Sequence, residues 1–185
     1  MKSSRTMATI NAGSMADIAF LLLLFFLVST TISQEKGIVR KLPERCLTDD
    51  CTAHVAERNI LRITLNEEGT LMVQNEILPI SQLKNVVQLF IDNNGSNSCL
   101  YCTGAKDVAS SDHPSKAVIS ISTHRLAPYK SYIAIQDELT LAYKELRTRY
   151  AETTFNKAIT TLTTLEEKET QKAYPFTVSE ITLKK

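Results

Sequence analysis

Met15-Ala-Asp17-Ile-Ala-Phe-Leu-Leu-Leu-Leu-Phe-Phe-Leu-Val28 is the only long apolar run in the 185-residue chain, and its reading decides the architecture. No Lys or Arg interrupts the sequence from Thr6 to Glu35. That exceeds the roughly 20 residues with which a helix crosses about 30 Å of hydrocarbon. A membrane helix is therefore expected over residues 14–33, behind a short leading segment, 1–13. Near the front of the run stands Asp17. A carboxylate inside a membrane helix is costly, so it usually faces protein or water and marks an ion or proton path. The alternative is an interfacial Asp17, about one turn inside the boundary.

The same residues also fit the outline of a secretory signal. Lys2 and Arg5 would form its basic region, Ile18 to Val28 its apolar region and Thr31-Ile-Ser33 its cleavage site. Two features argue against it: an acid beside the apolar region serves no purpose in a signal, and the site matches Ala-x-Ala poorly. Orientation is contested by the flanks. Lys36, Arg40, Lys41 and Arg45 outnumber Lys2 and Arg5, which would keep the carboxyl side in the cytoplasm. Long domains, however, translocate largely regardless of charge.

Composition fits a membrane-anchored protein whose remaining residues form one soluble domain. Charged residues make up 22% and the net charge is +1, so electrostatics name no polyanionic partner. No basic run interleaved with aromatics supports nucleic-acid binding. About 150 residues follow the apolar run, enough for a core of their own.

Residues 34–59 read as a linker, with Gly37, Pro43 and mixed charges breaking any apolar period. A domain is expected over residues 60–185. Leu61, Ile63 and Leu65 alternate with Arg62 and Thr64, as in a half-buried strand. Asn66-Glu-Glu-Gly69 supplies a turn, and Leu71 and Val73 continue as a hairpin partner. Leu83, Val87 and Phe90 then recur at helical spacing, with Ser81 as the expected N-cap and Asn93-Asn-Gly95 as the stop. Ala117 to Ile121 forms the next strand. After Pro128 a long helix places Tyr132, Ile135, Leu139, Ala142, Leu146 and Tyr150 on one face, with Glu145 and Arg149 at pairing distance. Phe155, Ile159 and Leu162 either extend that helix or begin another. Tyr174 to Leu183 reads as a final strand. The sum is an α+β fold: a small mixed sheet with helices packed on one face.

Four cysteines form two close pairs, Cys46/Cys51 and Cys99/Cys102. Short-range disulfides suit an oxidising compartment such as the periplasm. A zinc site and free or redox-active thiols are the alternatives, and spacing alone does not choose the partners. His54, His113 and His124 are too scattered to define a metal site, so no metal is expected. The chain has no Gly-x-Ser-x-Gly elbow, phosphate loop or Gly-x-Gly-x-x-Gly, and Glu67, Glu68 and Asp112 read as turn acids. Glu166-Glu-Lys-Glu169 reads as a solvated helix face or loop. Neither a catalytic residue nor a cofactor is expected.

Ile10-Asn11 followed by Met15-Ala-Asp17 and its apolar continuation to Val28 resembles the ExbD/TolR family of proton-driven energisers. Val39 to Pro43 resembles the segment after that family's membrane helix, and the strand and helix order resembles its periplasmic domain. Gly13-Ser14 stands where the family often has a proline. The cysteine pairs and the Thr-rich tail also depart from its pattern.

The resemblance implies an inner-membrane, single-pass protein with its amino terminus in the cytoplasm and its domain in the periplasm. Asp17 would be the protonatable residue inside a pore made by a polytopic ExbB-like partner, a pentamer around two copies of this chain. The periplasmic domain would dimerise and pass motion to a TonB-like protein or the cell wall. Protons would be the coupling ion. Thr31 lies about 40° around the helix from Asp17, with Thr30 and Ser29 beside it. These hydroxyls would either extend a polar, pore-facing stripe or simply cap the outer end.

Overall fold

A computed structural model describes residues 11–29 and 55–183. The chain divides after Cys51 into two compact units. The first carries α1, Ala12–Ser29. Asn11 starts it: its Oδ1 accepts from the Gly13 amide at 3.1 Å and its carbonyl accepts from Met15 at 3.4 Å. Satisfying the free amides of a first turn is what an N-terminal Asn does, and it makes a proline unnecessary here. Eighteen residues extend roughly 27 Å, close to the hydrocarbon thickness. The helix is long and apolar enough to cross a membrane. Thr30, Thr31 and the expected linker up to His54 lie outside the described residues.

The second unit is built on a five-stranded sheet of order β3-β2-β1-β4-β5. Its strands are β1 (Ile60–Leu65), β2 (Leu71–Val73), β3 (Glu76–Ile77), β4 (Val118–His124) and β5 (Val178–Leu183). β1, β4 and β5 run parallel, whereas β2 and β3 are antiparallel hairpin strands. Gly69, at φ +82°, takes the left-handed position of the first hairpin turn. Gln74 and Asn75, at φ 51° and 81°, make the two-residue turn between β2 and β3.

The period-two alternation holds across the sheet. Leu61, Ile63, Leu65, Leu71, Val73, Ile119 and Ile121 are buried on one face, whereas Arg62, Thr64, Met72, Ser120 and Ser122 on the other are partly or largely exposed. Helices α2 (Ile80–Ile91) and α3 (Tyr129–Phe155) pack on the buried side through Leu83, Val87, Ile135, Leu139 and Leu146. Burying a Leu or Ile contributes about 1.5–3 kcal/mol, so this one apolar face organises the domain. The α+β class and the mixed sheet with helices on one face are as expected.

Several local expectations are corrected. Helix α2 starts at Ile80 behind Pro79, and Ser81 makes no capping bond. Glu145 engages Lys84 at 2.8 Å and Gln88 at 2.6 Å on α2, rather than Arg149 one turn along its own helix. α3 stops at Phe155 because Asn156 turns left-handed, at φ 52°. A separate helix, α4 (Thr164–Ala173), follows behind a Thr163/Glu166 capping box. The final strand begins at Val178 rather than Tyr174, whose side chain is anchored in the interior.

Candidate functional site

Asp17 is five residues on from Ala12, roughly 7.5 Å along the axis of α1. Residues three and four away share its face: Gly13 and Ser14 before it, Phe20 and Leu21 after it. Within the described residues it makes no hydrogen bond and no ion pair, and no residue of α1 is buried by the chain itself. A single ionisable group thus interrupts an otherwise apolar rod. Ser29, the last described residue of α1, donates from Oγ to the Phe26 carbonyl at 3.4 Å. By the helical period it stands about 120° from Asp17, off the carboxylate's face. Thr30 and Thr31 lie outside the described residues.

In the globular unit, the long connection between α2 and β4 is organised by Asp92-Asn93-Asn94, three consecutive buried polar residues. Asn93 donates from Nδ2 to the carbonyls of Asp107 and Ser111, both at 2.8 Å, and accepts from the Asp107 amide. Asn94 grips Cys99 on both backbone groups, at 2.9 and 3.0 Å. Asp92 accepts from Thr103 through its amide and hydroxyl, and from Tyr174. A Cβ on Gly104 would stand 2.2 Å from the Asp92 carbonyl, so only glycine permits this approach.

Cys99 and Cys102 are joined in a disulfide inside this connection. That pair is therefore a staple and not half of a zinc site, while Cys46, Cys51 and His54 lie outside the described residues. Between the two cysteines, Leu100 is fully exposed, and Tyr101 turns inward against Tyr150 and Tyr174, with ring centroids at 5.0 and 5.4 Å. The Tyr101 hydroxyl donates to the Ala173 carbonyl at 2.8 Å, and burial raises its pKa to about 12. His113 lies edge-on to Tyr101, and burial lowers its pKa. His124 stands 3.9 Å from Glu67. Among the described residues no three His, Cys, Asp or Glu side chains converge on a metal position.

Asp112, read from sequence as a turn acid, is instead buried. It holds Arg58 at 2.9 Å and Asn59 at 3.1 Å, bonds that keep its carboxyl below the usual range. This ties the entrance of β1 to the connection. Neither this pair nor the Asp92 cluster was identified from sequence. The signal for the second was Asp92-Asn-Asn-Gly95 itself, too many polar residues for a simple helix stop.

The described residues thus hold one apolar helix bearing a single carboxylate and, as a separate unit, a small mixed-sheet domain. The sequence profile described as Biopolymer transport protein ExbD/TolR matches residues 3–150, which include the apolar helix, the sheet's first four strands and most of α3. The chain belongs to the ExbD/TolR family. Membership carries the family's general role, transport-associated energy transduction with ExbB/TolQ-like and TonB-like partners. No curated protein matches the chain.

Proposed function

We propose that this chain is the single-span subunit of a proton-driven inner-membrane motor, with Asp17 as the group that takes up and releases the proton. The observation that carries this reading is Asp17 itself, one carboxylate on an apolar helix, to which the described residues offer no partner. A carboxylate shielded from bulk water alternates between two forms. The neutral form tolerates an apolar wall, and the ionised form needs a polar or cationic neighbour. If an ExbB-like pore supplies both surroundings in turn, each protonation event changes which wall the helix prefers. One elementary charge crossing the membrane potential couples about 2.3 kcal/mol per 100 mV.

In this reading the amino terminus is cytoplasmic and the domain periplasmic, where the Cys99–Cys102 disulfide is chemically at home. The pore would be a pentamer around two copies of this chain. The domain would dimerise and pass motion to a TonB-like protein or the cell wall. The family's general role and partners support this assignment. The chain would act without a cofactor and without catalysing a reaction of its own.

Affinity purification of the tagged full chain from membranes should recover a multi-span partner in stoichiometric amount. Recovery of this chain alone, time after time, would contradict the reading. Intact-mass measurement separates the competing secreted domain, since cleavage near Ser33 removes Asp17 altogether.

A further inference from the structure

A cleft of about 340 Å³ opens on the globular domain between α2, α3 and the segment after the disulfide, lined in part by Asn85, Leu89, Thr103, Gly104 and Arg149. Its size is at the lower end for small-ligand sites, enough for one or two amino-acid residues. One wall is fixed, because the Gly104 backbone lies against the end of α2 too closely for any Cβ.

Arg149 is the chemically distinctive group. Its Nη1 donates to Thr103 Oγ1 at 3.2 Å and lies 3.4 Å from Asp92 Oδ2. Asp92 is served at closer range by Tyr174 at 2.7 Å and by the Thr103 hydroxyl at 2.8 Å. Its charge is therefore stabilised without claiming the whole guanidinium. The nearby Glu145 is likewise taken, by Lys84 and Gln88. The remaining Arg149 donors make no hydrogen bond among the described residues, and the side chain is 46% exposed. Pinned at one nitrogen and free at the others, the guanidinium is preorganised for a planar, two-oxygen acceptor. Asn85 adds an exposed amide, and Leu89, four residues on along α2 and 69% exposed, adds an apolar rim on the same side.

We propose that this cleft binds a peptide carboxylate carried on a short aliphatic body, with the Arg149 fork on its two oxygens and Leu89 against its side chain. A chain terminus and an acidic side chain share this chemistry. The site is independent of Asp17 and goes beyond the motor reading.

The test uses the full chain in detergent, titrated with three probes: N-acetyl-Ala-Val with a free carboxylate, the same dipeptide as its carboxamide, and N-acetyl-Glu N-methylamide. Binding is read by calorimetry and by the NMR signals of the Arg149 Nε–H and the Gly104 amide. At least one acid should saturate and shift both signals, and the carboxamide should bind at least about tenfold more weakly, as expected for losing a charge-assisted bidentate pair. The tighter of the two acids identifies the source as a terminus or a side chain. Arg149→Gln should lose a similar factor. Asn85→Asp, which places a repelling charge at the rim without touching the Asp92 cluster, should also weaken binding. Equal binding of acid and carboxamide would overturn the proposal. So would silent signals at about 10 mM of both acids, a concentration weaker than any useful affinity. Unaltered binding in both variants would do the same.

Discussion

Tyr174 donates its hydroxyl to Asp92 Oδ1 at 2.7 Å, joining residues 82 positions apart. The bond ties the end of α2 to the approach of β5, and both partners are buried. Burial, with the Asp92 carboxylate beside it, pushes the Tyr174 hydroxyl far above the usual tyrosine range. It therefore stays a donor at any physiological pH.

Tyr174→Phe removes that donor and leaves Asp92 with Thr103 and the longer contact to Arg149. A buried carboxylate losing one partner costs about 1–3 kcal/mol, a drop in Tm of roughly 4–10 °C for a domain of this size. Thermal unfolding of the full chain checks this, and an unchanged Tm would show the bond to be idle.

The Cys99–Cys102 disulfide closes a loop of only four residues, so chain entropy gives it about 2 kcal/mol. Asn94 and Tyr101 hold the same segment by independent contacts. The Cys99→Ala/Cys102→Ala variant should accordingly stay folded, with a Tm several degrees lower. Collapse of the domain's near-UV circular dichroism in that variant would mean the staple carries more than its loop length allows.

Acid sensitivity should concentrate at α4. The Lys157 ammonium and the Thr163 cap hold the Glu166 carboxyl at about 2, and Lys84 with Gln88 likewise lowers that of Glu145. A folded-state pKa below the unfolded value near 4.3 gives stability that is complete above that value. That stability is lost as pH falls through the folded pKa, here between about pH 4 and 2. Glu166→Gln retains a capping partner but not the titration. Its Tm should fall less steeply over that window than that of the parent. Parallel curves would contradict the assignment.

How much was legible in the sequence follows from which signals are local. Leu61, Ile63 and Leu65 and the Tyr132 to Tyr150 stripe announce themselves through periodicity, because one face of each is apolar, whereas the Asp17 helix announces itself as an unbroken apolar run. β3 was missed because Gln74-Asn75 turns without the usual glycine. α4 was left undecided between helix and loop although Thr163 and Glu166 stand at capping-box spacing, since β-branched threonines around it argue against a helix. The Asp92, Thr103, Arg149 and Tyr174 cluster was invisible for a different reason. Its members come from four separate segments, and no spacing within any one segment reports on the others. Asp17 was legible by chemistry alone, as a charge where the chain otherwise allows none.

The most direct test of the central claim is proton flux through the co-purified complex in sealed liposomes under an imposed potential of about −100 mV. Flux should be present with the parent chain, abolished by Asp17→Asn and at least partly restored by Asp17→Glu, with the same partner recovered in all three. Undiminished flux through an intact Asp17→Asn complex would contradict the account.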